Sequence, residues 1–364
     1  MANPLLFQPF DLRGVTVRNR LWVAPMCQYS AASEGDDIAA PNDWHLLHLG
    51  ALARGGAGLV MVEATAVMPE GRISPNDLGL WDDTQQRAFA RIVPIAHSHG
   101  AKIGIQLAHA GRKASTYPWR PGAPEGSVPI GEGGWSTVAP SAVAFEGLAD
   151  PRALTADDVR GVIAAFLAAA DRAVAAGFDV VEIHAAHGYL LHEFLSPLSN
   201  LRDDEFGGSA EGRARPLREI VRGIRAAHPD LPIVVRVSGD EWVEGGFDVE
   251  SAAQLVRWLA EDGADMIDAS SAGNTAHAKI PVGPSYQVWI AERLRAEGLP
   301  VGAVGLITSS AQAESILATG QADVISLGRP LLANPHLPLT WAHELGAPSA
   351  PEITPVQYFR ARFA

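Results

Sequence analysis

The feature that most constrains this chain is a repeated alternation of short apolar, β-branched segments with longer helical patterns. Eight strand-like segments recur along it. They are Leu21–Pro25, Gly58–Thr65, Lys102–Leu107, Asp179–His184, Ile233–Ser238, Met266–Ser270, Val301–Val304 and Val324–Leu327. Such alternation is typical of a parallel sheet covered by helices, and eight units favour a closed (β/α)8 barrel. We therefore predict an α/β protein in which residues 1–364 form a single TIM-barrel domain.

Helix signals fall between most of these strands. Thr155 and Asp158 form a capping-box pattern, and apolar residues then recur at three- and four-residue spacing up to Gly177. Further helices are predicted at Trp44–Arg54, Asp82–His99, Glu211–His228, Asp248–Glu261, Ser285–Glu297, Ser309–Thr319 and Pro335–Leu345. Segment 108–154, rich in Gly and Pro, is too long for an ordinary connection. We predict that it caps the mouth of the barrel after the third strand.

Composition and charge exclude several classes of protein. With 47% hydrophobic and 19% charged residues, the 364-residue chain has enough apolar side chains for a large core. Its 28 Lys and Arg against 41 Asp and Glu give a net charge of −13, which argues against binding nucleic acid. Cys27 is the only cysteine, the first residues do not resemble a signal peptide, and no apolar run is long enough to span a membrane. We expect a cytoplasmic protein that binds neither nucleic acid nor membrane.

Polar side chains collect at the predicted strand ends, where loops of a TIM barrel converge and catalysis takes place. The residues at these ends are Pro25, Met26, Cys27, Ala64, Thr65, Gln106, His184, His187, Arg236, Ser270, Ser271, Gly305, Gly328 and Arg329. One mouth therefore gathers a thiol, an amide, two imidazoles and two guanidinium groups. This set favours a ligand or substrate site at that end of the barrel.

Gly305, Gly328 and Arg329 follow the last two strands, a frequent phosphate position in this fold. Glycines let backbone N–H groups approach an anion, and a guanidinium binds two oxygens at once. The same residues are equally consistent with ordinary strand-to-helix turns. A barrel that binds a phosphorylated ligand without catalysis is therefore one alternative.

Arg236 interrupts an apolar strand, and a charge in that position needs an anionic or strongly polar partner. That partner is either a ligand or an internal carboxylate, Glu182 or Asp268, since both of these also interrupt strands. Gln106 carries two donors and one acceptor, which suits a ligand with an amide edge.

The segment from His184 through His187 to Tyr189 is the sharpest local pattern. One interpretation is that the two imidazoles donate hydrogen bonds to one substrate oxygen while Tyr189 supplies a proton. A second is a metal-dependent lyase or hydrolase with His192 or Glu193 as third ligand. A third makes both histidines core or helix-capping residues.

Seven segments carry a family resemblance: Ala24–Tyr29, Glu63–Ala66, Gln106–Lys113, His184–Tyr189, Ser196–Ser209, Val304–Ile307 and Leu327–Arg329. In this order, across nearly the whole chain, they resemble the Old Yellow Enzyme family of FMN-dependent ene-reductases. Cys27 with Tyr29 resembles its thermophilic-like class, which includes bacterial xenobiotic reductases. No G-x-G-x-x-G follows the first strand, so the dinucleotide-binding fingerprint is missing.

The resemblance implies that FMN binds at the carboxyl ends of the strands. The residues it places against the flavin or its phosphate are Pro25, Met26, Cys27, Ala64, Gln106, Arg236, Gly305, Gly328 and Arg329. Among these, Gln106 would bond the pyrimidine edge and Arg236 would lie near N1, where negative charge appears on reduction. Cys27 would tune the flavin potential and contact substrate, without acting as a nucleophile.

The resemblance also implies a ping-pong reaction. NADPH or NADH gives hydride to the flavin and leaves, and an alkene activated by a carbonyl or nitro group then binds in the same place. His184 and His187 would bond its activating oxygen, Tyr189 would protonate the α-carbon, and Tyr29 would help to close the substrate pocket.

The C-terminal tail, residues 346–364, resembles the tail of this class, whose arginine reaches the active site of a neighbouring subunit. Arg360 is our preferred candidate for that substrate-binding arginine over Arg362, which implies a homodimer or a tetramer of dimers. Gly212 stands where relatives usually have Asn. The sequence assigns no role to Trp119 or Trp135 in the capping segment.

Overall fold

The computed structural model describes residues 3–361 and confirms the predicted barrel. Eight parallel strands follow one another around it, and the last pairs with the first. The barrel strands are Leu21–Val23, Leu59–Ala66, Lys102–Ala108, Val180–Ala185, Ile233–Ser238, Met266–Ser270, Val301–Ala303 and Val324–Leu327. A short ninth strand, Leu78–Gly79, extends the pairing beside the end of the second.

Helices surround the barrel. They are Asp43–Arg54, Asp83–Ser98, Ala156–Ala176, Leu190–Leu195, Ala210–Ala227, Val249–Asp262, Val288–Arg295, Ser310–Ala318, Arg329–Ala333, Leu337–Glu344 and Ala350–Ile353. The longest begins at the predicted capping box, where Thr155 and Asp158 each accept a hydrogen bond from the other's backbone N–H. It ends at Gly177, whose φ of 94° is sterically easy only for glycine. Over residues 3–361, no helix is both long and apolar enough to cross a membrane.

Several short elements were not predicted, and two of them bear on the barrel and its mouth. The first is an antiparallel hairpin of Phe10–Leu12 and Val15–Val17. Its Leu12 and Val17 are buried against the inward side chains at the amino ends of the barrel strands, so the hairpin closes that end of the barrel. The second is the six-residue helix Leu190–Leu195, which directly follows the histidine segment.

Side chains alternate between the two faces of each barrel strand. Outward residues such as Ile183 and Val235 pack in the large core that also includes the surrounding helices. Inward residues near the amino ends form an apolar cluster, the lower layer, of Trp22, Leu59, Met61, Val180, Val234, Met266 and Val324. Inward residues nearer the carboxyl ends form a polar set, the upper layer, of Gln106, Glu182, His184, Arg236, Asp268, Ser270 and Ser326.

The segment between the third barrel strand and helix Ala156–Ala176 has little regular structure. Its anchor is Trp135, whose indole Nε1 donates to the carbonyl of Glu70 at 2.8 Å. The guanidinium of Arg72 lies over the same indole, 4.8 Å from the ring centroid. Trp135 thus fastens this segment to the barrel, whereas Trp119 is 90% exposed.

Candidate active site at the barrel mouth

His184, His187 and Tyr189 lie together at the carboxyl end of the fourth barrel strand. His184 belongs to the strand and is buried. His187 follows with a left-handed backbone, φ 60°, and its N–H donates to Ser238 Oγ at 2.9 Å. The ring of His184 lies 5.2 Å from that of His187 and 5.1 Å from that of Tyr189, edge-on to both. The structure brings together the three side chains that the sequence pattern singled out.

Both histidines are neutral at pH 7. Burial lowers the pKa of His184 and of His187 well below the ordinary value, and nearby Arg236 lowers both further. A neutral imidazole has one N–H donor and one acceptor nitrogen. Nε2 of His187 lies 2.7 Å from Ser270 Oγ, while buried Nδ1 of His184 has no hydrogen-bond partner in the described part of the chain.

Lys113 places a positive charge beside these rings, and the sequence analysis gave it no role. Its Nζ donates to the carbonyls of His187 and Gly273, both at 2.9 Å, and lies 5.1 Å from the ring centroid of Tyr189. Burial lowers the pKa of Lys113 to about 8. Burial raises the pKa of Tyr189 well above its usual value, so the phenol keeps its proton at neutral pH. The sequence feature that could have identified Lys113 as a site residue was its position at the end of segment Gln106–Lys113, one of the segments that carry the family resemblance.

Pro25, Met26, Cys27 and Tyr29 follow the first barrel strand and are all partly buried. Tyr29 has a left-handed backbone, with φ 51°. Burial, and then the charge of Asp77, raise the pKa of the Cys27 thiol well above its ordinary value. A protonated thiol is a poor nucleophile, which is consistent with the expected non-nucleophilic role of Cys27.

Glu63 connects this loop to the second barrel strand. Its Oε2 accepts a hydrogen bond from the backbone N–H of Gln28 at 2.7 Å. The pairing of the second and third strands shifts register between Val62 and Ala64, so Glu63 is an extra residue in the strand. The bulge places Ala64 opposite Gln106, the two residues assigned by resemblance to one flavin ring.

Two polar pairs occupy the upper layer below the mouth. Nε2 of Gln106 donates to Oε1 of Glu182 at 2.6 Å, and Nε of Arg236 lies 3.3 Å from Oδ2 of Asp268. The internal salt bridge considered for Arg236 is therefore present, with Asp268 as the partner. Burial, and then repulsion by Asp268, raise the pKa of Glu182 to about 8, so this carboxyl is largely protonated at pH 7.

Gly305, Gly328 and Arg329 lie at the ends of the seventh and eighth barrel strands. Gly305 has φ 113°, and a Cβ there would meet Gln287 Nε2 at 2.8 Å, so a larger residue does not fit. Gly328 precedes a short helix that begins with Arg329. The Arg329 side chain is exposed and forms no ion pair or hydrogen bond with the residues that the structure describes.

His192 and Glu193, the residues considered as third metal ligands, both have other partners. Nε2 of His192 lies 3.1 Å from Oε1 of Glu241, and its Nδ1 accepts the backbone N–H of Gly188 at 2.8 Å. Oε1 of Glu193 accepts the backbone N–H of Arg112 at 2.9 Å. Between residues 3 and 361, no three His, Cys, Asp or Glu side chains are arranged to hold a metal ion.

Arg360 lies on the C-terminal tail and is exposed, its guanidinium against the ring of Phe359 at 5.1 Å. The tail packs through Tyr358, whose ring lies 5.9 Å from the guanidinium of Arg54. No hydrogen bond, ion pair or ring contact joins Arg360 to the mouth within residues 3–361. Arg362 lies outside the described residues.

Comparison with known proteins identifies the family. The model of the "NADH:flavin oxidoreductase / NADH oxidase family" matches residues 5–347. NADPH dehydrogenase from Geobacillus thermodenitrificans is 45% identical over 360 residues, which cover 98% of each chain. NADPH dehydrogenase from Bacillus licheniformis is 45% identical over 363 residues, which cover 99% of this chain and 100% of that protein. The chain therefore belongs to this family, the Old Yellow Enzyme family that its motifs resemble, and is an NAD(P)H:flavin oxidoreductase.

Solved structures with a similar fold agree with this assignment. An old yellow enzyme homologue from Zymomonas mobilis has a TM-score of 0.77 at 28% identity, covering 94% of this chain and 93% of that one. Morphinone reductase in complex with tetrahydroNAD has a TM-score of 0.76 at 28% identity, covering 96% and 94%.

Proposed function

We propose that this flavin oxidoreductase uses FMN and reduces carbon–carbon double bonds conjugated to a carbonyl or nitro group, with NADPH or NADH as reductant. The observation that carries the proposal is the convergence of neutral His184 and His187 with protonated Tyr189 at the mouth. Two N–H donors and one transferable proton are what an activated alkene requires from the protein during reduction.

The fit of FMN is supported by polar groups with free hydrogen-bonding capacity. Oε1 of Gln106 accepts no hydrogen bond from the described residues, and the terminal nitrogens Nη1 and Nη2 of Arg236 donate none to them, since its ion pair with Asp268 is made through Nε. An acceptor and a cationic donor thus remain for the pyrimidine half of a flavin. Exposed Arg329 and the backbone at Gly305 suit its phosphate. Bound FMN supplies the redox chemistry, accepting hydride from NADPH or NADH and giving one to the alkene.

His184 and His187 hold the activating oxygen of the substrate. Because burial keeps both rings neutral, each offers a single N–H donor. We assign the hydroxyl of Ser270 as donor to Nε2 of His187, which leaves the proton of that ring on Nδ1 for the substrate. The two hydrogen bonds withdraw electron density from the double bond as negative charge builds on the oxygen.

Tyr189 supplies the proton that completes the reduction at the α-carbon. Its raised pKa keeps the phenol protonated until the substrate carbon becomes basic. Lys113, 5.1 Å from the ring centroid, stabilises the phenolate that remains after transfer. Solvent then returns a proton to Tyr189.

The test is the visible spectrum of the purified protein, followed without oxygen by NADPH and then cyclohexenone. A yellow protein that bleaches with NADPH and regains colour with the enone supports cofactor, reductant and reaction together. A colourless protein that binds no added FMN contradicts the proposal. Bleaching without recovery retains the flavin but rejects enones as acceptors.

We further propose that the enzyme is a homodimer, or a tetramer of dimers, in which Arg360 reaches the mouth of the neighbouring subunit. Large apolar side chains are exposed on helix Asp43–Arg54 and on the tail, among them Leu47, Val356 and Phe359. Exposed apolar groups of this size are common where subunits meet.

The test mixes two variants expected to have impaired activity, His184→Ala and Arg360→Ala, after dissociation and reassembly. A mixed dimer with an exchanged arginine contains one site with both native residues, so partial activity should return. No recovery, in mixed dimers verified by mass, contradicts exchange between subunits. A monomer on size-exclusion chromatography with light scattering contradicts the dimer itself.

A further inference from the structure

We infer that Glu182 is a positioning residue for the flavin site: it fixes the side-chain amide of Gln106 so that the acceptor Oε1, and not the NH2 group, is presented to the mouth. The inference rests on the proposed FMN site and concerns a residue that the sequence analysis considered only as a partner for Arg236.

The contact itself decides which end of the amide is free. Gln106 and Glu182 stand directly opposite each other on neighbouring barrel strands, and each is only 2% exposed. Nε2 of Gln106 donates to Oε1 of Glu182 at 2.6 Å. Rotating the amide by 180° would place the oxygen of Gln106 against Oε1 of Glu182, and two oxygens at 2.6 Å repel each other as long as Oε1 carries no proton. The buried pair therefore selects one orientation of the two that an unrestrained glutamine adopts.

The free acceptor suits the ring proposed to lie above it. The pyrimidine edge of a flavin carries one N–H between two carbonyl groups, so it needs an acceptor opposite that N–H. A glutamine presenting its NH2 group there would place a donor against a donor. By holding Nε2, Glu182 makes Gln106 specific for this edge.

Glu182 shares a small buried cavity with a second carboxyl group, that of Asp268. A cavity of about 10 Å³, about the size of one water molecule, is lined by Glu182, Asp268 and Ser326. Oδ1 of Asp268 is buried without a hydrogen-bond partner in the described part of the chain. A proton on Oε2 of Glu182, bonded to Asp268 through one water in this cavity, would leave Oε1 as the acceptor for Gln106. Asp268 in turn pairs with Arg236. Two neighbouring buried carboxyl groups, Glu182 and Asp268, therefore contact Gln106 and Arg236, the two residues proposed to bind the pyrimidine.

The experiment is a double-mutant cycle on the full-length holoprotein, read as the dissociation constant of FMN. Flavin fluorescence is followed as the purified protein is diluted. Glu182→Met keeps the length of the side chain but removes the acceptor, and should weaken FMN binding about tenfold, the loss expected for one hydrogen bond. Gln106→Met should weaken it at least as much. The double variant should bind no more weakly than Gln106→Met alone, because Glu182 acts through Gln106.

Glu182→Gln is the matched control, because its amide oxygen still accepts from Gln106. We expect its FMN dissociation constant to stay within about twofold of that of the native protein. Equal weakening by Glu182→Gln and Glu182→Met, or losses that add in the double variant, would overturn the inference. Circular dichroism melts verify folding, and Glu182→Leu replaces Glu182→Met if that variant does not fold. Native protein that binds no FMN rejects the proposed function; tight native binding with an unaffected Glu182→Met variant rejects the inference alone.

Discussion

The lower and upper layers of the barrel are built on the same inward strand faces, yet they differ in almost every chemical respect. The fifth strand contributes Val234 to the lower layer and Arg236 to the upper, and the sixth contributes Met266 and Asp268. Two residues along a strand, about 7 Å, separate a close-packed apolar core from a row of charged and amide groups. The lower layer thus provides the apolar packing that stabilises the barrel, and the upper layer provides the polar groups available for chemistry.

This division means that substitutions in the two layers should have different consequences. The lower layer contributes buried apolar area, so its variants should lose free energy of unfolding and keep their kinetic constants. The upper layer and the mouth contribute directed polar groups, so their variants should stay folded and lose catalytic steps. Three variants test this difference, in order of expected size, and a fourth tests the pH dependence of a buried histidine that follows the third barrel strand.

Tyr189→Phe should separate the two half-reactions of the enzyme. Loss of the proton donor should slow reoxidation of the reduced enzyme by an enone by about 10²–10⁴, while reduction by NADPH stays near the native rate. Anaerobic stopped-flow absorbance measures each half separately. Equal slowing of both halves would count against proton donation by Tyr189.

His184→Ala should lower kcat/KM for the enone by about 10²–10³, since one of two hydrogen bonds to the activating oxygen is removed. The flavin should remain bound, because the proposed cofactor contacts lie on other residues. Steady-state kinetics and the flavin content after gel filtration check both statements. Release of flavin from this variant would show that His184 supports the cofactor and not the substrate.

Met266→Ala tests the lower layer. The side chain is buried in the apolar cluster, so truncation should reduce the free energy of unfolding by about 2–4 kcal/mol through lost contacts and a cavity. The kcat/KM for the enone should change less than twofold. Urea unfolding measures the free energy of unfolding, and steady-state kinetics on the same preparation measure kcat/KM. A kinetic loss without a stability loss would show that the two layers are not independent.

His109→Asn should give the smallest effect, a change in pH dependence. Burial lowers the pKa of His109 to about 4, so below pH 6.5 the unfolded chain binds a proton that the folded protein does not. The free energy of unfolding therefore falls as pH falls from 6.5 toward 4, and this contribution is fully retained above 6.5. The asparagine side chain keeps an acceptor for the backbone N–H of Gly111, which His109 Nδ1 accepts at 3.0 Å, but does not titrate.

Urea unfolding measures the free energy of unfolding of the native protein and of the His109→Asn variant at pH 7.5 and 5.5. Between these two pH values the free energy of unfolding should decrease by about 1 kcal/mol less in the variant than in the native protein. The same loss in both proteins would place the titrating groups elsewhere.

The sequence predicts the barrel because its strands are short apolar runs bounded by turn residues. Ile233–Ser238, Met266–Ser270 and Val324–Leu327 are observed with the predicted bounds. The hairpin before the barrel was missed because each of its strands has three residues, too few to establish alternation. Its turn, Arg13-Gly14, has φ of 42° and 76°, and an arginine in that first position conceals the usual turn signal.

The candidate site was predictable only at the level of strand ends. That His184 and Gln106 share a mouth follows from the fold, since parallel strands carry their carboxyl ends to one side. The contact of Gln106 with Glu182 joins residues 76 apart and depends on strand register. The bulge at Glu63 changes the register between the second and third strands, and nothing in the local sequence marks it. The side chain of Lys113 donates to the carbonyls of His187 and Gly273 at the mouth, and no periodicity in the sequence indicates these two contacts.

The hairpin of residues 10–17 has a kinetic consequence. Because it closes the amino end of the barrel, residues 3–361 leave the upper layer accessible from the carboxyl end. In the proposed reaction, the oxidised nicotinamide would leave by the route through which the alkene arrives, so the two substrates would bind in turn. An excess of either the nicotinamide or the alkene should then inhibit turnover by occupying the shared binding site. The highest rate should be observed at a balanced ratio of the two substrates.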